Sequence, residues 1–332
     1  MLKDKSILIT GGTGSFGLRF IHILLQKHSD IKKIVIFSRD EYKQYQIKQK
    51  YPTEKYPQLK FVLGDVRDIE RLKIAFEDID IIIHAAALKQ VDTAEDNPLE
   101  FIKTNVLGAE NVIQAAKYCQ VKKVIALSSD KSVSPVSLYG ATKLCADKLF
   151  IQANYEQNKH NTLFSLVRYG NVIGSRGSVI PLFLENKSTF CITDWVMTRF
   201  SVPIGIEAES ILYAILHAQG GEIFIPKAPS YSIRNLVEAI NPLASTKIIG
   251  LRNGERLHEE LINETEIKFT FENKDYYVIA FTNILQNYFQ FHLDYTKVSS
   301  DFHYNSLNNP DQLSIEAIKN QIENFLNYDK EN

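Results

Sequence analysis

The sequence predicts an α/β fold: a doubly wound parallel sheet followed by a smaller C-terminal substrate-binding domain. Three observations predict it. In the first half of the chain, apolar runs of strand length alternate with stretches whose apolar residues recur at helical spacing. These strand-like runs are almost continuously apolar, as strands covered by helices on both faces are. Strand–helix alternation of this kind is the pattern of a doubly wound sheet. After about Tyr169 the pattern loosens, with more glycine, proline and aromatic residues and shorter helical stretches.

Taken in order, SILIT at 6–10 is a first strand ended by glycines, and Phe16, Phe20, Ile23 and Leu24 mark a helix over 15–28. KIVIF at 33–37 is a second strand, followed by a polar helix up to Pro52. A third strand spans 60–63; Asp68 then caps a helix through Phe76, because its short side chain accepts free backbone N–H groups. A fourth strand covers 79–85, and Pro98 opens a long helix to about Cys119, since proline is tolerated in a first helical turn. A fifth strand (121–127), a helix (137–156) and a sixth strand (163–168) complete a first domain over 1–170. Residues 171–332 form mainly the second domain. Within them, 201–226 return to the first domain as a helix through 211–217 and the strand-like EIFIP. A hairpin is expected over 268–281 and an amphipathic helix over 314–326.

Bulk composition narrows the function. The 332 residues suit about two domains. With 38 basic against 39 acidic residues, there is no electrostatic case for nucleic acid or an anionic membrane as partner. Cys119, Cys145 and Cys191 lie far apart with no C-x-x-C pair, which argues against a metal site; they read as small buried hydrophobes in a reducing cytoplasm. No leader pattern precedes the first strand, and the apolar run 79–87 is broken by Asp80 and His84. A membrane span needs about 20 apolar residues, so the chain is expected to be cytoplasmic.

The turn after the first strand reads Gly11-Gly12-Thr13-Gly14-Ser15-Phe16-Gly17 and opens a helix. That context makes it a dinucleotide-binding turn of the Rossmann type. Glycines let the backbone approach a pyrophosphate, and the helix presents free N–H groups and its positive end. The second strand ends in Ser38-Arg39-Asp40. An arginine there accommodates a 2′-phosphate, favouring NADP; the alternative is a solvated Arg39 with Asp40 on the ribose of NAD. Asp65, before Val66, is a candidate for the adenine amino group or a turn residue. Ala85-Ala86-Ala87 allow close approach of the cofactor, or simply pack, and Lys89 faces ribose, substrate or solvent.

Ser128-Ser129-Asp130-Lys131 follows the fifth strand, and Tyr139 and Lys143 open the next helix at i, i+4, on one face. A tyrosine beside an ammonium is a usable base, because nearby positive charge favours phenolate.

GGTGSFG, SRDE, GDVRD, HAAALKQV, KTNV, LYGATKL, VRYGNVIGSRGSV, MTRF and GERLHE occur in this order. Together they resemble the UDP-N-acetylglucosamine 4,6-dehydratases of the extended short-chain dehydrogenase/reductase superfamily. The likeness is to the C5-inverting branch that begins pseudaminic acid synthesis, and it covers about the whole chain. The Asp130-Lys131 pair discriminates: epimerases of the superfamily generally have no such pair, and ordinary hexose 4,6-dehydratases tend to have Asp-Glu.

The resemblance implies oxidation of C4 by Tyr139 and tightly bound, recycled NADP, with Ser129 and Lys143 assisting. Lys131 then removes the C5 proton, Asp130 protonates the departing C6 hydroxyl, and hydride returns to C6. Alternatively Lys131 is the main shuttle and Asp130 mostly positions. The resemblance adds Asn105 of KTNV to the cofactor set. It adds Tyr169, Asn171, Ser178, Val179 and Thr198 to the sugar-nucleotide set, with Arg199 and Arg252 on the diphosphate and Glu255 on the uridine ribose. Guanidinium suits phosphate because it binds the oxygens in a fork. Homo-oligomers, hexamers or dimers, are implied. Departures from the pattern are Ser129 for a frequent threonine, Ser134 for a common asparagine, and SVPIGIEAES after MTRF. A UDP-sugar 4-epimerase, a C5-retaining dehydratase and a non-catalytic NADP-sensing protein are the competing readings.

Overall fold

The computed structural model describes residues 2–155 and 161–331, with side chains through 328. The N-terminal elements follow the expected order. They are β1 (Ser6–Thr10), α1 (Ser15–Lys27), β2 (Lys33–Ser38), α2 (Glu41–Lys50), β3 (Leu59–Leu63), α3 (Ile69–Phe76) and β4 (Ile81–His84). A short α4 (Val91–Asp96) that the sequence reading missed comes next. The stretch expected to be one long helix is α5 (Pro98–Phe101), a π-helical turn (Ile102–Leu107) and α6 (Gly108–Tyr118). Pro98 does open it, and Asp68 caps α3 by accepting from the Arg71 N–H at 3.0 Å. Then come β5 (Lys123–Ser129), a 3₁₀ turn (Asp130–Ser132), α7 (Leu138–Gln152) and β6 (Leu163–Tyr169). The expected end of this helix at Glu156 lies outside the described residues.

The second half supplies α8 (Val179–Glu185), β7 (Thr189–Ile192), β8 (Thr198–Phe200), α9 (Ile206–His217), β9 (Ile223–Pro226), β10 (Ser230–Ser232), α10 (Ile233–Ile240) and β11 (Ser245–Ile248). After these come β12 (Glu260–Ile262), α11 (Glu264–Ile267), β13 (Thr270–Glu272), β14 (Tyr276–Ile279), α12 (Asn283–His292), β15 (Thr296–Lys297), β16 (Tyr304–Asn305) and α13 (Ile315–Glu331).

One ten-stranded sheet runs β15-β13-β14-β9-β6-β5-β4-β1-β2-β3. The strands from β3 to β9 are parallel, and β9 pairs with β6 through Leu166–Ile223 and Val167–Phe224. The β13–β14 hairpin pairs antiparallel with β9, so the sheet takes in more of the second half than 201–226. Period-two alternation sorts the strand side chains onto two faces. Leu8 belongs to one core with Phe76, Val112 and Phe150 of α3, α6 and α7, while Ile7 and Ile9 belong to another with Phe20 of α1 and Ile211 of α9. A separate core of Ile180, Phe190, Tyr231, Leu236 and Ile322 holds the C-terminal layers together.

The chain winds β1-β2-β3 to one side and β4-β5-β6 to the other, so a crevice opens at the carboxyl ends of β1 and β4. The cysteines depart from expectation. Cys145 and Cys191 are exposed and Cys119 is half-buried, because Cys145 lies on the outer face of α7 and Cys191 on the outward phase of β7. No described helix is long and apolar enough to cross a membrane.

Candidate active site

The glycine turn sits at that crevice. Gly11 has φ +66°, and a Cβ there would lie 2.8 Å from the backbone of Ala86. Ala85 and Ala86 therefore pack directly under the turn. A Cβ on Gly17 would meet the Gly12 carbonyl oxygen at 2.4 Å, so only glycine lets α1 start this close to β1. Gly14 is the N-cap of α1, with no side-chain cap bond and no acid in the first turn. The N–H groups of Ser15, Phe16 and their neighbours thus begin a helix whose positive end is free for an anion. Thr13 is buried in the turn, and Phe16 stacks on Phe20. This cradle fits a dinucleotide pyrophosphate.

Asp40 is occupied locally. Its carboxylate caps α2 through the Lys43 N–H at 2.9 Å and pairs with the Lys43 ammonium at 2.8 Å. Ser38 is buried and accepts from Gln44. Arg39 is half exposed, 3.6 Å from Asp65. Asp65 accepts from the backbone and guanidinium of Arg67 in a turn. Burial pushes its carboxyl up, but those bonds and the charges of Arg67 and Arg39 hold it lower than usual. Val66 is buried against Gly108. Asn105, carried by the π-helical turn, brackets the Leu88 N–H and C=O at 2.9 Å each and donates to the Thr142 hydroxyl at 3.0 Å. Its amide therefore ties the 85–89 loop to α7. Lys89 is an exposed residue of this loop, and partial burial of its ammonium with the charges of Arg19 and Arg176 holds it below the usual lysine range.

The acid–base residues converge from β5, the 3₁₀ turn and α7. Ser137 caps α7 by accepting from Gly140, and Gly140 seats the helix against the turn: a Cβ there would lie 2.2 Å from the Lys131 carbonyl oxygen. Tyr139 is hydrogen-bonded to Ser129, and Ser129 donates to Asp130 at 2.8 Å. Burial pushes the Tyr139 phenol up to about 12. Lys143 donates to the Leu127 carbonyl at 2.7 Å, and burial holds its ammonium below the usual range. Asp130 is 1% exposed, and its carboxylate lies 2.9 Å from the Lys131 ammonium. This is an ion pair inside the site, not on an exposed loop. Burial pushes Asp130 up, as does Glu259, against the pull of Lys131. Burial lowers Lys131, but Asp130 and Glu259 outweigh it and hold the ammonium above the usual range.

The expected sugar-nucleotide residues divide. Asn171, Ser178 and Val179 line one small cavity with Tyr231, and the buried Ser178 hydroxyl has no partner there. Asn171 also accepts from Lys131 at 3.1 Å. Tyr169 ends β6, and burial raises its phenol strongly. Thr198 and Arg199 make hydrogen bonds within the protein. Thr198 bonds His258 and Ser306, and Arg199 donates to the carbonyls of Thr198, Leu257 and Arg256. A guanidinium spent on three carbonyls anchors the 256–259 segment. Arg252 pairs with Glu255 and, at 2.9 Å, with Asp92 of α4; half exposed, it remains on the rim. Ser134 adopts φ +42°, a left-handed backbone that suits asparagine, which accounts for the residue common there.

Two residues escaped the sequence reading. Glu259, 4% exposed, reaches Lys131 at 3.2 Å and Arg199 at 3.6 Å. It closes the GERLHE motif, but no spacing ties it to Lys131. Asp147 lies one turn beyond Lys143 on the same face of α7 and accepts from Ser128 at 2.6 Å and Ser132 at 2.8 Å. Extending the Tyr139–Lys143 face by four residues finds it.

The sheet, the glycine cradle and the Tyr139–Lys143 face define an enzyme of the extended short-chain dehydrogenase/reductase class. The chain belongs to the family described as polysaccharide biosynthesis protein, whose model matches residues 7–281. A relative from Campylobacter jejuni (strain 81-176), named UDP-N-acetylglucosamine 4,6-dehydratase (inverting), is 46% identical over 320 residues, 93% of this chain and 95% of that one. A relative from Rickettsia bellii (strain OSU 85-389), named UDP-glucose 4-epimerase, is 39% identical over 98% of this chain and 97% of its own. The X-ray structure of Pen from Bacillus thuringiensis is 36% identical, with TM-score 0.87, covering 97% of this chain and 99% of that one.

Proposed function

We propose that the protein dehydrates UDP-N-acetylglucosamine to a UDP-linked 4-keto-6-deoxy sugar inverted at C5, the first step of pseudaminic-acid-type sugar synthesis. The observation that carries this reading is the buried Asp130–Lys131 pair at 2.9 Å, bonded through Ser129 to Tyr139. Epimerisation at C4 needs only the oxidation machinery of Tyr139 and Lys143. A buried acid–base pair beside it is costly to desolvate and supplies what elimination across C5 and C6 requires.

The glycine cradle suits a nicotinamide dinucleotide. NADP is favoured because Asp40 is committed to Lys43 and α2, while Arg39 is half exposed and would reach a 2′-phosphate by giving up its long contact with Asp65. When bound, the cofactor supplies acceptance of the C4 hydride and its return to C6. Tyr139 takes the C4 hydroxyl proton; burial pushes its phenol up, and the positive charge of Lys131 offsets part of that. A proton shift along the Lys131–Asp130 bond leaves a neutral amine and a carboxylic acid, the forms that burial favours. The amine removes the C5 proton acidified by the C4 ketone, and the acid protonates the departing C6 hydroxyl, releasing water. C5 is then reprotonated, with the proton Lys131 holds, on the face opposite the one it was taken from once the planar alkene has turned over in the site, which inverts the centre, and the Tyr139–Ser129–Asp130 chain passes the C4 proton back to the pair. Asn171, Ser178 and Val179 would hold the sugar nucleotide, a reading supported by their shared cavity, with Arg252 and Glu255 at the rim. The cytoplasm is the expected location, consistent with three free thiols.

The test is incubation with UDP-N-acetylglucosamine in D₂O, followed by proton NMR. A new C6 methyl signal, deuterium at C5 and couplings of the inverted ring are expected. Conversion to the C4 epimer alone would favour the epimerase, and retained C5 configuration would remove the inversion.

A further inference from the structure

The Lys131 ammonium carries three N–H donors and meets three acceptors: Asp130 at 2.9 Å, Asn171 at 3.1 Å and Glu259 at 3.2 Å. Glu259 is held rigidly for this contact. Its backbone N–H donates to the Ser306 hydroxyl and its carbonyl accepts from the Ser306 N–H, both at 2.8 Å. Arg199 anchors the preceding carbonyls.

We propose that Glu259 is a positioning residue for the dehydration step: with Asn171 it holds two N–H groups of Lys131, so that the third position faces the spot where Asp130 stands. The inference rests on the dehydratase reading. When a proton moves from Lys131 to Asp130, the amine keeps its bonds to Glu259 and Asn171, and its new lone pair points at the new Asp130 hydroxyl; substrate that separates the two takes the lone pair at C5 and the hydroxyl at the C6 oxygen. Base and acid then face one place, as elimination across two adjacent carbons needs. The C5–H bond breaks as Lys131 takes the proton. The C6–O bond breaks as Asp130 gives its own, and the pair returns to ammonium and carboxylate.

Glu259 also places a second negative charge on the pair. The charged and titratable groups facing Lys131 and Asp130 are each other, Glu259, Arg199, Tyr139 and Tyr231; Glu259 in turn faces Arg256 and His258. Removing the negative charge lowers the proton affinity of both members of the pair, so their common pH dependence moves one way.

The experiment measures the pH profile of kcat for the wild type and Glu259→Gln on UDP-N-acetylglucosamine. The isosteric glutamine is expected to shift the limbs set by the pair toward acid by about one to three pH units, the range for a charge this close, and to lower the maximum. Glu259→Asp, which keeps the charge but retracts it, is expected to lose rate with the limbs near their wild-type position. A lowered rate with an unmoved profile in Glu259→Gln would mean a merely structural role and overturn the proposal. Should Glu259→Gln not fold, Asn171→Asp adds a negative charge at the same ammonium and must move the profile toward alkali; an unmoved profile overturns the proposal equally. A wild type that makes no 4-keto-6-deoxy product removes the dehydratase reading itself, an outcome distinct from product formation with an unmoved variant profile.

Discussion

Gly140→Ala probes the seat of the catalytic helix with a single methyl group. In the native packing that methyl would stand 2.2 Å from the Lys131 carbonyl oxygen, with the Pro135 side chain at 3.0 Å. Ordinary contact needs about 1 Å more, and the obstacle is backbone, which relaxes only by moving the 3₁₀ turn against α7. Overpacking of this kind costs roughly 1–3 kcal/mol, while alanine recovers about 1 kcal/mol of helix propensity. The net destabilisation is about 0–2 kcal/mol, and at roughly 2–4 °C per kcal/mol in larger domains Tm falls by a few degrees at most. The effect on rate is larger. Lys131 and Asp130 ride on the displaced turn while Tyr139 rides on the helix, and a misplacement of about 1 Å costs about 10²-fold. The assays are a thermal melt and kcat for formation of the 4-keto sugar, with bound-cofactor absorbance as a check on the fold. A variant with wild-type kcat would refute the argument that this contact sets the distance between the oxidation and elimination groups.

Arg39→Ala is expected to weaken NADP binding about 10–100-fold, the value of a lost charged hydrogen bond of roughly 1.5–3 kcal/mol, and to leave NAD binding unchanged; calorimetry showing equal losses for both cofactors would count against Arg39 as the 2′-phosphate ligand. His84 is buried beneath the site, bonded to Thr10 at 2.9 Å, and burial lowers it to about 3. Its folded value lies below its unfolded one, so its contribution to stability is intact above pH ~6.5 and is lost as pH falls below that. Between pH 7 and pH 5 the loss is about 2 kcal/mol, and in denaturant melts His84→Asn, whose amide oxygen can stand in for Nδ1, should flatten that dependence. An unchanged slope in the variant would assign the acid sensitivity to other groups.

The residues also separate what is local from what is not. The parallel sheet, the cofactor turn and the Tyr139–Lys143 face were legible because each is written in neighbouring residues: apolar runs of strand length, glycines at a strand end, and two side chains four apart on one helix. The hairpin at Asn273 was legible for the same reason, but its place in the main sheet beside β9 was not, since strand pairing partners lie far apart in the chain. Arg168 shows the limit. In sequence it stands among residues expected to touch the sugar nucleotide; in the structure it is buried and bidentate to Glu266, with Asp147 at 3.8 Å. Arg199 follows the same logic, its guanidinium consumed by carbonyls.

By itself the sequence determined the fold class, the cofactor cradle and the types of acid and base on the chain. Only the tertiary structure decided which charges meet. The Asp130–Lys131 pair could have been a solvated loop contact; in the structure Asp130 is buried, Lys131 is partly buried, and the 256–259 segment brings Glu259 to the same ammonium. The reason is physical: proton affinities depend on burial and on charges within a few ångströms, and those distances arise from long-range packing that no local pattern encodes.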